Sequence, residues 1–233
     1  MLNFTDTKNP AKERPKKPRI SVNKLAEYIS AGPPRRNKIV SDCKTPVAFI
    51  VTRYSEARTA VKSYFEQNSP DILNAAIEVL EKKEGTTDFQ KNDIKNSIAL
   101  LNSLLNTDVS RFNGMEIKIA PGKDAILEIK GVEISVNPDL YLSQTMKGIK
   151  NIGAIKLSLT KSGLSSDQQK IVALMTKRYL QANAGKDEVV NGKMCFSLDA
   201  FKKSFTEAPA SDAQRMRAIE YACEEIALWW GRV

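Results

Sequence analysis

Apolar residues recur at helical spacing through the first half of the chain and in alternation through much of the second, a change of period that predicts helices followed by strands. In SVNKLAEYI, Val22, Leu25, Ala26 and Ile29 share one face and Ser21 stands where an N-cap belongs. Gly32, Pro33 and Pro34 then stop that helix. Another helix is expected from near Pro46, with a stripe of Phe49, Ile50, Tyr54, Ala57, Val61 and Phe65. Two more complete the helical half. One covers 70–83, with proline at its first position after Ser69; the other covers 87–106 and carries Ile94, Ile98, Leu101 and Leu105.

After Asn113-Gly114, MEIKIA and AILEIK each alternate around PGKD, which predicts a β-hairpin, and GVEISV continues the alternation until Asn137-Pro138-Asp139 ends it. IGAIKLSL gives a further strand, with Ile155, Leu157 and Leu159 on one face and Ala154, Lys156 and Ser158 on the solvent side. A helix over 165–182, a last strand at MCFSLDAF and a C-terminal helix from Ser211 follow. The last helix has Ile219, Ala222, Cys223, Ile226 and Trp230 as its stripe. No internal repeat is visible. The expected fold class is α/β (α+β): a mixed central sheet of about four to five strands flanked by helices, after a mainly helical N-terminal half. Residues 1–20 form a flexible basic tail, 21–107 a helical region and 108–233 the sheet core with its C-terminal helix, the last two making one compact body.

Composition narrows the chemistry. The chain has no histidine, which removes imidazole-based mechanisms, and its three cysteines form no CxxC pair or zinc pattern. Scattered cysteines and the absence of a long apolar run or signal-like N-terminus fit a cytoplasmic protein with no membrane partner. The net charge of +9 is local: residues 1–44 hold 11 Lys or Arg against 4 Asp or Glu. Arg14, Lys16, Lys17 and Arg19 in the tail, with Arg35, Arg36 and Lys38 in the expected helix-helix connection, form a candidate contact for a DNA or RNA backbone. The alternative is that these cations are solvated or pair with acids on the body.

Pro138-Asp139 at a strand end, a connection with Gly148 and Gly153, and Lys156 on the next strand form the one constellation that could carry chemistry. Over roughly residues 86–200 it resembles the PD-(D/E)XK nuclease superfamily, in which a helix precedes a hairpin, a strand ends at Pro-Asp and the next carries acid-any-Lys. The resemblance implies Asp139 as a Mg²⁺ ligand and Lys156 as the residue that positions the attacking water, hence a Mg-dependent phosphodiesterase. Ala154 stands where the second acid belongs, which implies a degenerate or inactive site unless an acid is supplied from elsewhere, with Glu78, Glu81, Asp93, Glu116, Glu128 and Glu133 available. The same residues also fit a strand terminator and an ordinary strand lysine. SVNKLAEYI with PPRR, FIVTRYSEA, GAIKL and ACEEIALWW further resemble an uncharacterised bacterial protein family, which implies no function.

Trp229 and Trp230 diverge by about 100° on a helix, so one is expected to be exposed or at an interface. That leaves a second function class: a non-catalytic adaptor of a bacterial multi-protein system, docking a protein partner through the C-terminal helix. The sequence leaves the oligomeric state open.

Overall fold

A computed structural model describes residues 17–46, 53–122 and 124–232. The fold is mixed α+β, with a five-stranded and a three-stranded sheet and, among the described residues, seven α-helices. No helix among these residues is long and apolar enough to cross a membrane. The helix predicted at Ser21 is α1 (Val22–Ser30), and the Ser21 hydroxyl accepts from the Lys24 N–H as the cap. The two prolines that end it also begin α2 (Pro33–Lys44), because a proline in the first turn lacks only an N–H that would be unbonded there. Arg35, Arg36 and Lys38 therefore lie on a helix, not in a connection.

The next described helix is α3 (Ser55–Gln67); the expected start near Pro46 leaves Phe49 and Ile50 outside the described residues. The helices α4 (Pro70–Glu81) and α5 (Asp88–Leu105) match their predicted spans closely, α5 opening on a capping box of Thr87 and Gln90. Arg19 and Ile20, expected in the tail, belong instead to β1 (Arg19–Ser21), which runs parallel to β4 (Val132–Ser135).

The hairpin expected between MEIKIA and AILEIK does not form. β2 (Glu116–Ile119) joins the large sheet, and β3 (Ile126–Ile129) pairs with β4 through the two-residue turn Lys130-Gly131, both at positive φ. That turn matches strand twist, whereas PGKD is long enough to lead from one sheet to the other. A strand not predicted, β5 (Leu140–Met146), follows immediately. Pro138-Asp139 thus opens a strand as well as closing the previous segment. β5 pairs antiparallel with β2 on one side and with β6 (Ile149–Ser158) on the other. α6 (Ser166–Asn183) makes the crossover to β7 (Glu188–Asp199), parallel to β6, and β7 is not the last strand, since β8 (Ser204–Glu207) pairs with it before α7 (Ala213–Trp230).

The large sheet has the order β2-β5-β6-β7-β8. On one face α3–α5 bury Val61, Phe65, Leu73, Leu100 and Leu104 against Leu140, Leu142, Ile155, Leu157 and Phe196. On the other, Leu180 of α6 joins Ala154 and Cys195. Ile171, Val172, Leu174 and Met175 of α6 share a second core with β1, α1, α2, β4 and α7. The helical region 21–107 is therefore two units in packing terms: α1 and α2 belong with the small sheet, and α3–α5 with the large one. The stripe predicted for α7 is buried in full, Trp230 included, while Trp229 is partly buried beside it. The exposed apolar residues of α7 are instead Tyr221 and Leu228.

Candidate functional site

The antiparallel ladder that pairs Leu140 with Ile155 and Tyr141 with Ala154 sets Asp139 beside Lys156. The turn before it is pinned by Asn137, at φ 37°, whose side-chain oxygen accepts from the Ala125 N–H at 2.8 Å. The Asp139 N–H then donates to the Ile155 carbonyl at 2.9 Å. The two residues of the sequence motif thus meet: Lys156 Nζ lies 3.3 Å from Asp139 Oδ2 and donates to the Asn137 carbonyl at 2.6 Å.

Neither group faces open solvent. Asp139 is 7% exposed, and the Lys156 side chain 13%, contrary to its expected place on a solvated face. Every strong interaction of the carboxylate is made within the protein. Oδ1 accepts from Arg58 Nη1, and Oδ2 accepts from the Leu157 N–H at 2.9 Å. Burial alone would push the Asp139 carboxyl up, but Lys156, Arg58 and the Leu157 N–H outweigh it and hold the group below the usual carboxylate range. Burial pushes the Lys156 ammonium down; Asp139 opposes this, while Arg58 and Lys62 add to it, and the net is below an ordinary lysine.

Arg58 is the residue that sequence reasoning missed. It sits one position from Ala57 in the apolar stripe of α3, and a cation at the border of a buried stripe is the signal that could have drawn attention to it. Lys62, four residues on and so on the same helix face, pairs with no acid among the described residues. Arg58 and Lys156 thus bracket one carboxylate, and the charge of Lys62 adds to the positive potential felt by Lys156.

This donor set does not fit Mg²⁺. A hard dication takes several oxygens, usually including more than one carboxylate. Here Arg58 and Lys156 supply the positive charge at Asp139, and Ala154 is fully buried against Leu180 and Cys195. Among the described residues no cluster of three or more potential ligands forms. Of the six candidate substitutes, three are engaged elsewhere: Glu116 with Lys118, Glu128 with Lys17, and Asp93 with the Tyr54 N–H. The expectation of Asp139 as a metal ligand and Lys156 as the partner of a metal-bound water therefore loses its geometric support.

Of the cations expected to hold a nucleic-acid backbone, Arg14 and Lys16 lie outside the described residues. The other five each meet an acid. Lys17 lies 3.6 Å from Glu128, Arg19 bonds Ser135 and Asp124, Arg35 bonds Glu27, and Lys38 lies 3.1 Å from Asp42. Arg36 is a clasp: it bonds Glu225 of α7 at 2.9 Å and the carbonyls of Tyr28 and Ile29, with its guanidinium over the Tyr28 ring. No protein-family model matches the chain, and no curated protein is detectably similar to it.

Proposed function

We propose that the chain is a nucleic-acid-associated protein of nuclease-like fold that contacts phosphate backbone without cleaving it. The observation that carries this reading is the Arg58-Asp139-Lys156 cluster. The two residues of the nuclease-like motif stand side by side on paired strands, as the resemblance requires, but a guanidinium holds the carboxylate that a metal would need. What remains is positive charge on α3, at Arg58 and Lys62, backed by the buried Lys156-Asp139 pair, suited to a phosphate and not to water activation. Arg14 and Lys16, expected from the sequence as tail cations, would add affinity of the same sequence-independent kind. Three free thiols accord with action in the reducing cytoplasm.

The test is anisotropy of labelled DNA and RNA oligonucleotides across a salt series, with Mg²⁺ cleavage followed in parallel. Arg58→Ala and Lys62→Ala should each weaken binding and reduce the log-log salt slope by about 0.7–0.9, the value for one phosphate contact. Deleting residues 1–16 should lower it further. Absence of salt-dependent binding in the wild type would refute the reading, and Mg²⁺-dependent cleavage abolished by Asp139→Ala would replace it with an enzyme.

One observation favours a second reading, a non-catalytic adaptor docking a protein through its C-terminal helix. Tyr221 and Leu228 on α7 are 70% and 67% exposed and seven residues apart, hence on one face. A photo-crosslinker at position 228 should then capture a discrete partner in cells, and Tyr221→Glu should abolish the capture. Crosslinking indifferent to that substitution would discard the adaptor.

A further inference from the structure

The strand that presents Asp139 continues into a cavity unconnected with the nuclease-like motif. Its volume is about 380 Å³, and it lies where α6 ends over β2, β5 and β6 of the large sheet. Cross-strand register explains its position. Lys118, Tyr141 and Ala154 form one row across β2, β5 and β6, and Glu116, Ser143 and Ile152 form the next. Tyr141 and Tyr179 line the cavity beside Leu180 and Ile152. Burial and the neighbouring Tyr179 push the Tyr141 hydroxyl up to about 12, so that phenol is neutral at physiological pH.

The rim restricts what can enter. Lys118 pairs with Glu116 at 2.7 Å and Lys150 with Glu188 at 2.8 Å, two solvent-facing ion pairs that cancel each other's charge. A mouth with no net charge gives no particular attraction to a phosphate. Its aromatic and apolar interior suits a flat, uncharged ring; the Ser143 hydroxyl already donates to Glu116 and the Asn183 amide N–H to the Tyr179 carbonyl, so their oxygens are what remains to accept from a ring edge. The size admits one such ring with its attached sugar. From Asp139 to Tyr141 is two residues along one strand, about 7 Å. Arg58 and Lys62 stand on α3, on the opposite face of the sheet from α6, so a strand held at that cluster must round the end of the sheet beside Asp139 to reach the cavity.

We infer that the Tyr141-Tyr179 cavity takes one unpaired nucleobase of a single-stranded nucleic acid, making single strands the preferred ligand. This rests on the nucleic-acid reading proposed above and adds to it a division of labour: the cationic cluster holds backbone, and the cavity holds base. Stacking of a base on an aromatic ring is indifferent to salt, unlike phosphate contact.

The experiment uses the full chain with a short single strand carrying 2-aminopurine and its duplex counterpart. Binding of the single strand should quench the 2-aminopurine, and the duplex should bind more weakly. Tyr141→Ala should weaken single-strand binding roughly 5- to 150-fold, the range for losing one base-aromatic stack, and leave the salt slope unchanged. Tyr141→Phe should bind as the wild type, and Ser143→Trp, which fills the cavity from a partly exposed strand position, should reproduce the loss. Thermal melts establish that each variant is folded. If the wild type binds nucleic acid but 2-aminopurine is unaffected, or both Tyr141→Ala and Ser143→Trp bind normally, the cavity inference is overturned and the backbone reading stands. If the wild type binds neither strand, both are overturned.

Discussion

Removing the Asp139 carboxylate should destabilise the fold far more than removing either cation that it binds. Asp139→Ala leaves Lys156, 13% exposed, without its counter-charge and the buried Leu157 N–H without an acceptor. Arg58 is 34% exposed and can turn toward solvent, so its contribution is screened. An orphaned buried donor costs about 1–3 kcal/mol, and breaking a buried ion pair from one side costs about 3–5 kcal/mol. Because Lys156 keeps its bond to the Asn137 carbonyl, the lower end, about 3 kcal/mol, is expected. Lys156→Met removes a desolvated charge and leaves Asp139 with Arg58 and the Leu157 N–H, so it should cost within about 1 kcal/mol. The double variant should be more stable than Asp139→Ala alone by about 1–2 kcal/mol, since no stranded ammonium remains. Urea unfolding followed by circular dichroism measures all three. If Lys156→Met is as damaging as Asp139→Ala, or the double variant shows no recovery, the carboxylate is not what holds the cluster together.

Four further outcomes follow from the structure. The Asp139 carboxyl is held below its ordinary value, so its stabilisation is present above about pH 4 and is lost as pH falls through the folded value. Asp139→Asn should flatten the acid limb of the urea midpoint against pH. Lys156 is also lowered, so its cost at neutral pH is relieved as pH rises through its folded value toward about 10.4; Lys156→Met should remove that alkaline rise. Burial pushes the Cys195 and Cys223 thiols up to about 12 and Cys43 up to about 11. A disulfide-exchange reagent at neutral pH should therefore modify the partly exposed Cys43 first and all three only in urea; rapid reaction of Cys195 in the native protein would contradict its burial. Arg36→Lys should cost about 1–2 kcal/mol despite keeping the charge, because an ammonium cannot bond Glu225 and two carbonyls while stacking on Tyr28. A thermal melt unchanged by that substitution would show that the clasp is not structural.

Helix positions were legible where the pattern carried its own punctuation: Ser21 before α1, Pro70 in α4 and the stripe of α7 from Ile219 to Trp230 all stand as spaced. The failures cluster where one residue type serves two roles. Pro33 and Pro34 close one helix and open the next, and Pro138-Asp139 precedes a strand that the turn signal concealed. That strand had its own evidence in the alternation of Leu140 and Leu142 with Tyr141 and Ser143, ending at Lys147-Gly148. Which strands pair was beyond the period-2 pattern, because MEIKIA and AILEIK present the same alternation whether they share a sheet or not. Arg58 could not be placed from sequence, since nothing local couples a helix residue to a carboxylate eighty-one positions away.

The charge distribution carries the larger lesson about the site. Lysines and arginines concentrated before residue 45 point to an N-terminal contact, yet all five described candidates there meet acids, and Arg36 holds α1, α2 and α7 together. Those pairs leave little free charge to offer a ligand. The excess lies instead beside Asp139, where Arg58 and Lys156 share one carboxylate and Lys62 adds its charge at Lys156, in a body whose overall balance is nearly neutral. A cation's value for binding depends on what already neutralises it, and that is decided by tertiary contacts. For this chain, that shifts the proposed phosphate contact from the residues richest in positive charge to those where positive charge is left unmatched.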